Sequence, residues 1–152
     1  MSEIQVHVET PLNPTENPEK VARAIHNLFP SANLTTVKTD AHHGKVEATM
    51  NGLKALENLK AILRQEVIRD AARRMLLGGI SGSSVVVYLH KQAAFAGKAS
   101  FCERYDESPL GPITLTIQSE SPEQVVEWLA VSSRASQRPE DNRRSNRLRR
   151  GG

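Results

Sequence analysis

Lys91-Gln92-Ala93-Ala94 sets a long cation and an amide directly after a valine-rich run, and its two alanines leave room for close approach by another part of the chain. Lysine meets phosphate as a point charge, and glutamine hydrogen-bonds a base edge or a 2′-hydroxyl, so the four residues have the chemistry of an RNA contact. The same residue types also serve a fold. Lys91 can pair with a carboxylate, Gln92 can satisfy backbone groups at a strand end, and the alanines can fit beneath a helix. Both readings stand on the sequence.

A second source of phosphate chemistry is the C-terminal segment. Ser132 to Gly152 holds seven arginines (134, 138, 143, 144, 147, 149 and 150) against Glu140 and Asp141, a net charge of +5. Residues 1–131 hold thirteen lysines and arginines against fifteen acids, a net of −2, so the pI of about 9.2 belongs to the tail. Arginines on a polar, flexible chain bind phosphate through counterion release, which makes contact salt-sensitive and nearly indifferent to sequence. The other reading is a solubilising terminus with no dedicated partner.

Other chemistries lack their spacing. Gly78-Gly79-Ile80-Ser81-Gly82-Ser83-Ser84 has no lysine after its last glycine and leads from a helix into a strand. It therefore lacks the helix N-terminus that holds phosphate, and reads as a helix stop and flexible link. His42 and His43 sit beside Asp40 in a turn, His7, His26 and His90 are scattered, and no H-x-x-x-H or H-E-x-x-H spacing occurs, so no metal site is expected. Cys102 has Glu103 and Arg104 as its neighbours and no histidine close in sequence, which describes a packed strand residue better than a nucleophile. A single cysteine excludes an intrachain disulfide. With no local triad either, the expectation is a non-enzyme without a cofactor.

These residues must be positioned by regular elements. Ile4, Val6 and Val8 alternate with Gln5, His7 and Glu9 as a first strand that Thr10 to Pro14 ends. Asn17-Pro18-Glu19 opens a helix with the apolar stripe Val21, Ile25 and Leu28. Asn33 to Thr39 and Lys45 to Met50 read as strands around a turn. Leu53 to Leu77 reads as one long helix whose stripe of Leu56, Leu59, Leu63 and Val67 gives way to a rotated face of Ile68, Ala71 and Met75. That drift predicts a helix covered on two sides, by the sheet and by a partner subunit, and a homodimer that uses this extra apolar side or an open sheet edge. Its charges, Lys60, Arg64, Arg69, Arg73 and Arg74 among Glu57, Glu66 and Asp70, mix signs at helical spacing and suit a solvated face.

Ser84 to Leu89, Lys98 to Glu103 and Ile113 to Gln118 read as further strands. His90 to Phe95 reads as a turn or helical turn, and Ser121-Pro122 opens a last helix carrying Val125, Val126, Trp128 and Leu129. The order β-α-β-β-α-β-β-β-α predicts an α+β fold: a largely antiparallel sheet with helices on one face. Residues 1–131 are expected to form one domain and 132–152 a disordered tail. No apolar run reaches the roughly 18 residues of a membrane helix. The N-terminus lacks a signal-peptide pattern, so the expected compartment is the cytoplasm.

The segment Tyr88 to Phe101, YLHKQAAFAGKASF, with Pro109-Leu110-Gly111-Pro112-Ile113, Leu59 to Ile68 with Arg73, and Val126 to Ala130, resembles a family of small archaeal uncharacterised proteins. Some of these are labelled predicted exosome-associated RNA-binding subunits, and their fold is similar to that of the large-subunit ribosomal protein that holds 5S rRNA. The likeness spans roughly the first 130 residues and departs at His90, where the family pattern would have asparagine. It implies an α+β fold similar to a ribosomal RNA-binding domain, a homodimer and no established activity; the partner expected here is RNA or a ribonucleoprotein. The residues expected to touch RNA are Lys91, Gln92, Arg64 and Arg73 on the body, and Arg143, Arg144, Arg147, Arg149 and Arg150 in the tail. The competing expectation is a dimeric protein-interaction module with no nucleic-acid site of its own.

Overall fold

Alternation of apolar and polar residues builds the sheet, and a computed structural model of the chain, which describes residues 3–65, 68–108 and 110–131, shows what that alternation buries. The elements run β1 (Ile4–Leu12), α1 (Pro18–Leu28), β2 (Thr35–Lys38), β3 (Gly44–Asn51), a 3-10 turn (Leu53–Leu56), α2 (Glu57–Gln65), α3 (Arg69–Gly78), β4 (Ile80–Ser81), β5 (Ser84–Leu89), α4 (Lys91–Phe95), β6 (Phe101–Cys102), a second 3-10 turn (Tyr105–Glu107), β7 (Ile113–Ser119) and α5 (Pro122–Leu129). The seven strands form one sheet in the order β2-β3-β1-β7-β5-β4, with β6 paired to the far half of β5, and every pairing is antiparallel. This is the expected α+β class, with two short strands and a short helix more finely cut than the sequence pattern implies.

One face of the sheet is the core. Val6 and Val8, Val46 and Ala48, Val85 and Val87, and Leu115 and Ile117 point into it, and Ile25, Leu28, Leu59, Leu63, Leu76 and Val126 cover them from the helices. The other face carries Gln5, His7, Glu9, Glu47, Thr49, Thr114 and Thr116, half-buried or exposed. Helix α1 starts as expected: Asn17 caps it, its side chain accepting the Glu19 N–H at 2.8 Å, with Pro18 at the first helical position.

Three expectations change. The single long helix is two helices: Ile68, at φ −117° and ψ 17°, is not helical and caps α3. An unbroken helix would turn through about two and a half revolutions from Leu63 to Ala72 and bury them on opposite sides. The interruption lets Leu59 and Leu63, then Ala72 and Leu76, face the same sheet, so the buried residues of α3 are Ala72 and Leu76 and not Ala71 and Met75. The rotated stripe is therefore not a buried face: Ala71 is exposed, and Ile68 and Met75 are half-buried.

The strand β1 runs through Pro11 to Leu12. Its pairing with β7 stops at Glu9–Thr114 while that with β3 continues, so the missing proline N–H falls on the side where no ladder exists. Finally, the glycine-serine run is a tight hairpin, Ile80 paired with Val85 and Ser81 with Ser84, and not a flexible link. The predicted tail, 132–152, lies outside the described residues.

At the entry to this hairpin a Cβ on Gly79 would lie 2.2 Å from the Val86 carbonyl oxygen, whereas a Cβ on Gly78 meets nothing within 4 Å. The strand backbone cannot yield as a side chain would. Gly79→Ala is expected to destabilise by about 1–3 kcal/mol or more, and Gly78→Ala, in a helical turn, to be neutral or stabilising by up to about 1 kcal/mol. Urea midpoints of the two variants check the contrast, and equal midpoints would refute the close approach.

Candidate functional site

The residue that the KQAA motif contributes most visibly turns inward. Lys91 is 5% exposed, and its Nζ donates to Pro11 O at 2.8 Å, to Leu110 O at 3.1 Å and to both carboxylate oxygens of Glu16 at 3.0 Å. Glu16 Oε1 also accepts from the Asn13 N–H and side-chain amide at 3.0 and 2.8 Å, and the same amide donates to Leu110 O at 2.9 Å. Thr10 Oγ1, itself buried, donates to Pro112 O at 3.0 Å. Segments 10–16 and 108–112 are thereby stitched together by side chains where the β1–β7 ladder has ended. Gly111, at φ +87°, lets the second segment lie against Pro11, whose Cγ would be 2.5 Å from a Cβ there. Burial pushes the Lys91 ammonium below its ordinary pKa, and the hydrogen bond and charge of Glu16 oppose that shift.

Beside this clamp lies a cleft of about 320 Å³ between α1 and α4. Its floor is Val21 and Ala24, and its rim carries Thr15, Asn17, Lys20, Gln92, Phe95 and Leu110. Phe95 is 41% exposed, and the Arg23 guanidinium sits 5.8 Å from its ring centroid. The alanines of the motif explain the short helix: Ala94 is fully buried, and Asn27 donates its amide to Ala94 O and Phe95 O at 3.0 Å each, closing the end of α4 on α1. The motif is thus divided, with Lys91 facing the clamp and Gln92 exposed on the cleft.

The other expected RNA contacts are not gathered there. Arg64 is exposed in the last turn of α2. Arg73 binds Glu127 of α5 through Nη2, and its buried Nη1 has no hydrogen-bond partner. Neither lines the cleft, and Arg143, Arg144, Arg147, Arg149 and Arg150 lie outside the described residues. His42 and His43 stay in an exposed turn held by Asp40, which accepts both their N–H groups at 2.8 Å. Those bonds, first from the His42 N–H and then from the His43 ring, hold the Asp40 carboxyl below its usual pKa.

Among the described residues two groups of side chains have metal-ligand chemistry, and neither shows as a spacing in the sequence. On the open sheet face His7 lies 3.0 Å from Glu9 and 3.7 Å from Glu47, with Lys45 3.6 and 3.3 Å from the same two carboxylates. Glu9 is held below its ordinary pKa chiefly by the His7 hydrogen bond, and Lys45 above its own chiefly by Glu47. The second group is His90, Cys102 and Glu107, whose ligand atoms lie within 4.8 Å of one another. The register Tyr88–Cys102 of the β5–β6 pair and the His90 N–H to Ser100 O bond at 2.8 Å bring His90 beside Cys102. The sequence does hold a signal for this: two predicted strands pairing antiparallel make residues distant in the chain into neighbours.

Fold and clamp together define a class, a one-sided antiparallel sheet whose helix layer presents a polar-rimmed cleft. A protein-family model described as RNA binding matches residues 5–119. The UPF0201 protein of Pyrococcus abyssi is 39% identical over 126 residues, covering 83% of this chain and 88% of that one. That of Sulfolobus acidocaldarius is 40% identical over 128 residues, covering 82% and 86%. A crystal structure of a UPF0201 protein from Methanococcus jannaschii superposes with a TM-score of 0.75 at 32% identity, covering 83% of this chain and 98% of that one. The chain belongs to the UPF0201 family.

Lys91→Met leaves the Glu16 carboxylate, only 10% exposed, without its cation. The expected loss is about 3–5 kcal/mol of stability, against no more than about 0.5 kcal/mol for the exposed Gln92→Ala. Chemical denaturation of both variants measures it, and a Lys91→Met midpoint equal to the parent's would take the clamp out of the fold's stability.

Proposed function

We propose that this protein is a non-enzymatic RNA-associated protein that takes an unpaired base in the cleft between α1 and α4. The observation that carries the reading is Phe95, an exposed aromatic ring on the rim of a concave site, flanked by the cations Lys20 and Arg23 and by the exposed amide of Gln92. A base splayed from single-stranded RNA stacks on an aromatic face and has its edge read by an amide, while cations meet the adjoining phosphates. The family model described as RNA binding covers every one of these residues. Lys91 acts here as a positioning residue, because its protons are committed to Glu16, Pro11 and Leu110. Arg64 and the tail arginines add long-range, sequence-independent attraction, which makes the contact weak and salt-dependent. We further propose that the chain forms a homodimer. The one-sidedly paired outer strand β2 supports this, since it leaves a sheet edge open to a second copy.

Fluorescence anisotropy on one unstructured RNA at two salt concentrations tests the reading. Phe95→Ala is expected to weaken binding by about 1–3 kcal/mol with little change in salt slope. Lys20→Ala with Arg23→Ala should flatten that slope by about 0.7 for each phosphate no longer neutralised. Replacing the five arginines 143, 144, 147, 149 and 150 by serine in the full chain should flatten it further. Parent-like affinity in Phe95→Ala would sink the cleft, and an unchanged slope in the tail variant would sink the tail. No binding by any form, with a dimer in sedimentation, would favour a protein-interaction module.

A further inference from the structure

We propose that His90, Cys102 and Glu107 bind one borderline-soft transition-metal ion, Zn²⁺ above all, which clips the loop after β6 to the end of β5. Such a site is independent of any RNA contact. Three donors of different chemistry converge from three separate segments: an imidazole where β5 hands over to α4, a thiol on β6, and a carboxylate on the 3-10 turn Tyr105–Glu107. Ligand atoms around a tetrahedral zinc sit roughly 3.3–3.8 Å apart at ordinary Zn–N, Zn–O and Zn–S bond lengths. The donor atoms of these three lie within 4.8 Å of one another, about an ångström outside that spacing. A thiol among the donors selects against Mg²⁺ and Ca²⁺, which take oxygen, and toward zinc and its neighbours.

The surroundings fit a three-ligand site with one open position. Cys102 is buried and Glu107 exposed, so protein shields one side and water reaches the other. Glu107 is aimed by the Glu103 N–H, which donates to its Oε1 at 2.7 Å. Outer partners of this kind orient metal ligands. Thiolate and carboxylate together carry two negative charges, which a divalent cation neutralises. The His7, Glu9 and Glu47 group has comparable donors but already holds Lys45 against both carboxylates, so it offers an ion much less.

The test uses the full-length chain freed of metal by a chelator and titrated with Co²⁺. The expected result is a thiolate-to-cobalt charge-transfer band in the near ultraviolet that saturates at one equivalent and is bleached by Zn²⁺. Cys102→Ser should abolish the band, His90→Asn and Glu107→Gln should each weaken binding at least tenfold, and His7→Asn should leave it unchanged. Zn²⁺ should raise the melting temperature of the parent but not of Glu107→Gln. Because Glu107 is exposed, that variant carries the test even if Cys102→Ser fails to fold. The absence of a band in the parent overturns the proposal, as does a band undiminished in both His90→Asn and Glu107→Gln.

Discussion

The buried ion pair of Lys91 and Glu16 is the constraint on which the functional end of this domain depends. A lysine 6% exposed in its side chain and a glutamate 10% exposed are poorly placed as isolated charges. Here each charge is surrounded by the other's hydrogen-bonding groups, and two backbone carbonyls complete the lysine's shell. Breaking such a cluster on one side strands a charge, so the cluster acts as a single unit. Its consequence is geometric. The segments 10–16 and 108–112 have no ladder between them, yet they set the position of α4 and one wall of the cleft.

How much of this can be read from the chain depends on how local the cause is. Alternation in β1, β5 and β7, the Asn17-Pro18 cap of α1 and the proline start of α5 act between near neighbours, and they are legible. The interruption at Ile68 is legible only as its symptom, a stripe that changes phase. A phase change can be hidden by a partner or removed by a break, and sequence periodicity does not choose between them. The hairpin at Ile80–Leu89 escapes a sequence reading because glycine and serine signal both slack linkers and tight turns. Pro11 escapes it because its effect depends on which side of β1 is paired, a fact of strand order and not of β1 itself.

The site is less legible than the fold. The KQAA motif can be singled out, but its division into an inward lysine and an outward glutamine follows from α4 docking on α1 through Ala94 and Asn27. Phe95 carries no signal, since one exposed aromatic among few lacks the interleaved pattern of stacking platforms. Its meaning comes from Lys20 and Arg23, which approach it from a helix far away in sequence. Cys102 looks isolated in the sequence for the same reason, with His90 reaching it only across the β5–β6 pairing.

A net charge of −2 on residues 1–131 argues against RNA only if the acids face the cleft unpaired, and the structure distributes them otherwise. Glu16 is neutralised by Lys91, Glu127 by Arg73, and Glu9 and Glu47 are paired with Lys45 on the opposite face of the sheet. Paired charges make short-ranged fields, and at physiological ionic strength anything beyond about 8 Å is largely screened. What an approaching phosphate meets at the cleft is therefore the local set, Lys20 and Arg23 beside Phe95, and not the sum over the domain. The lysine buried beneath them contributes by neutralising the one carboxylate that lines the same wall, so the clamp shapes the cleft's electrostatics as well as its form.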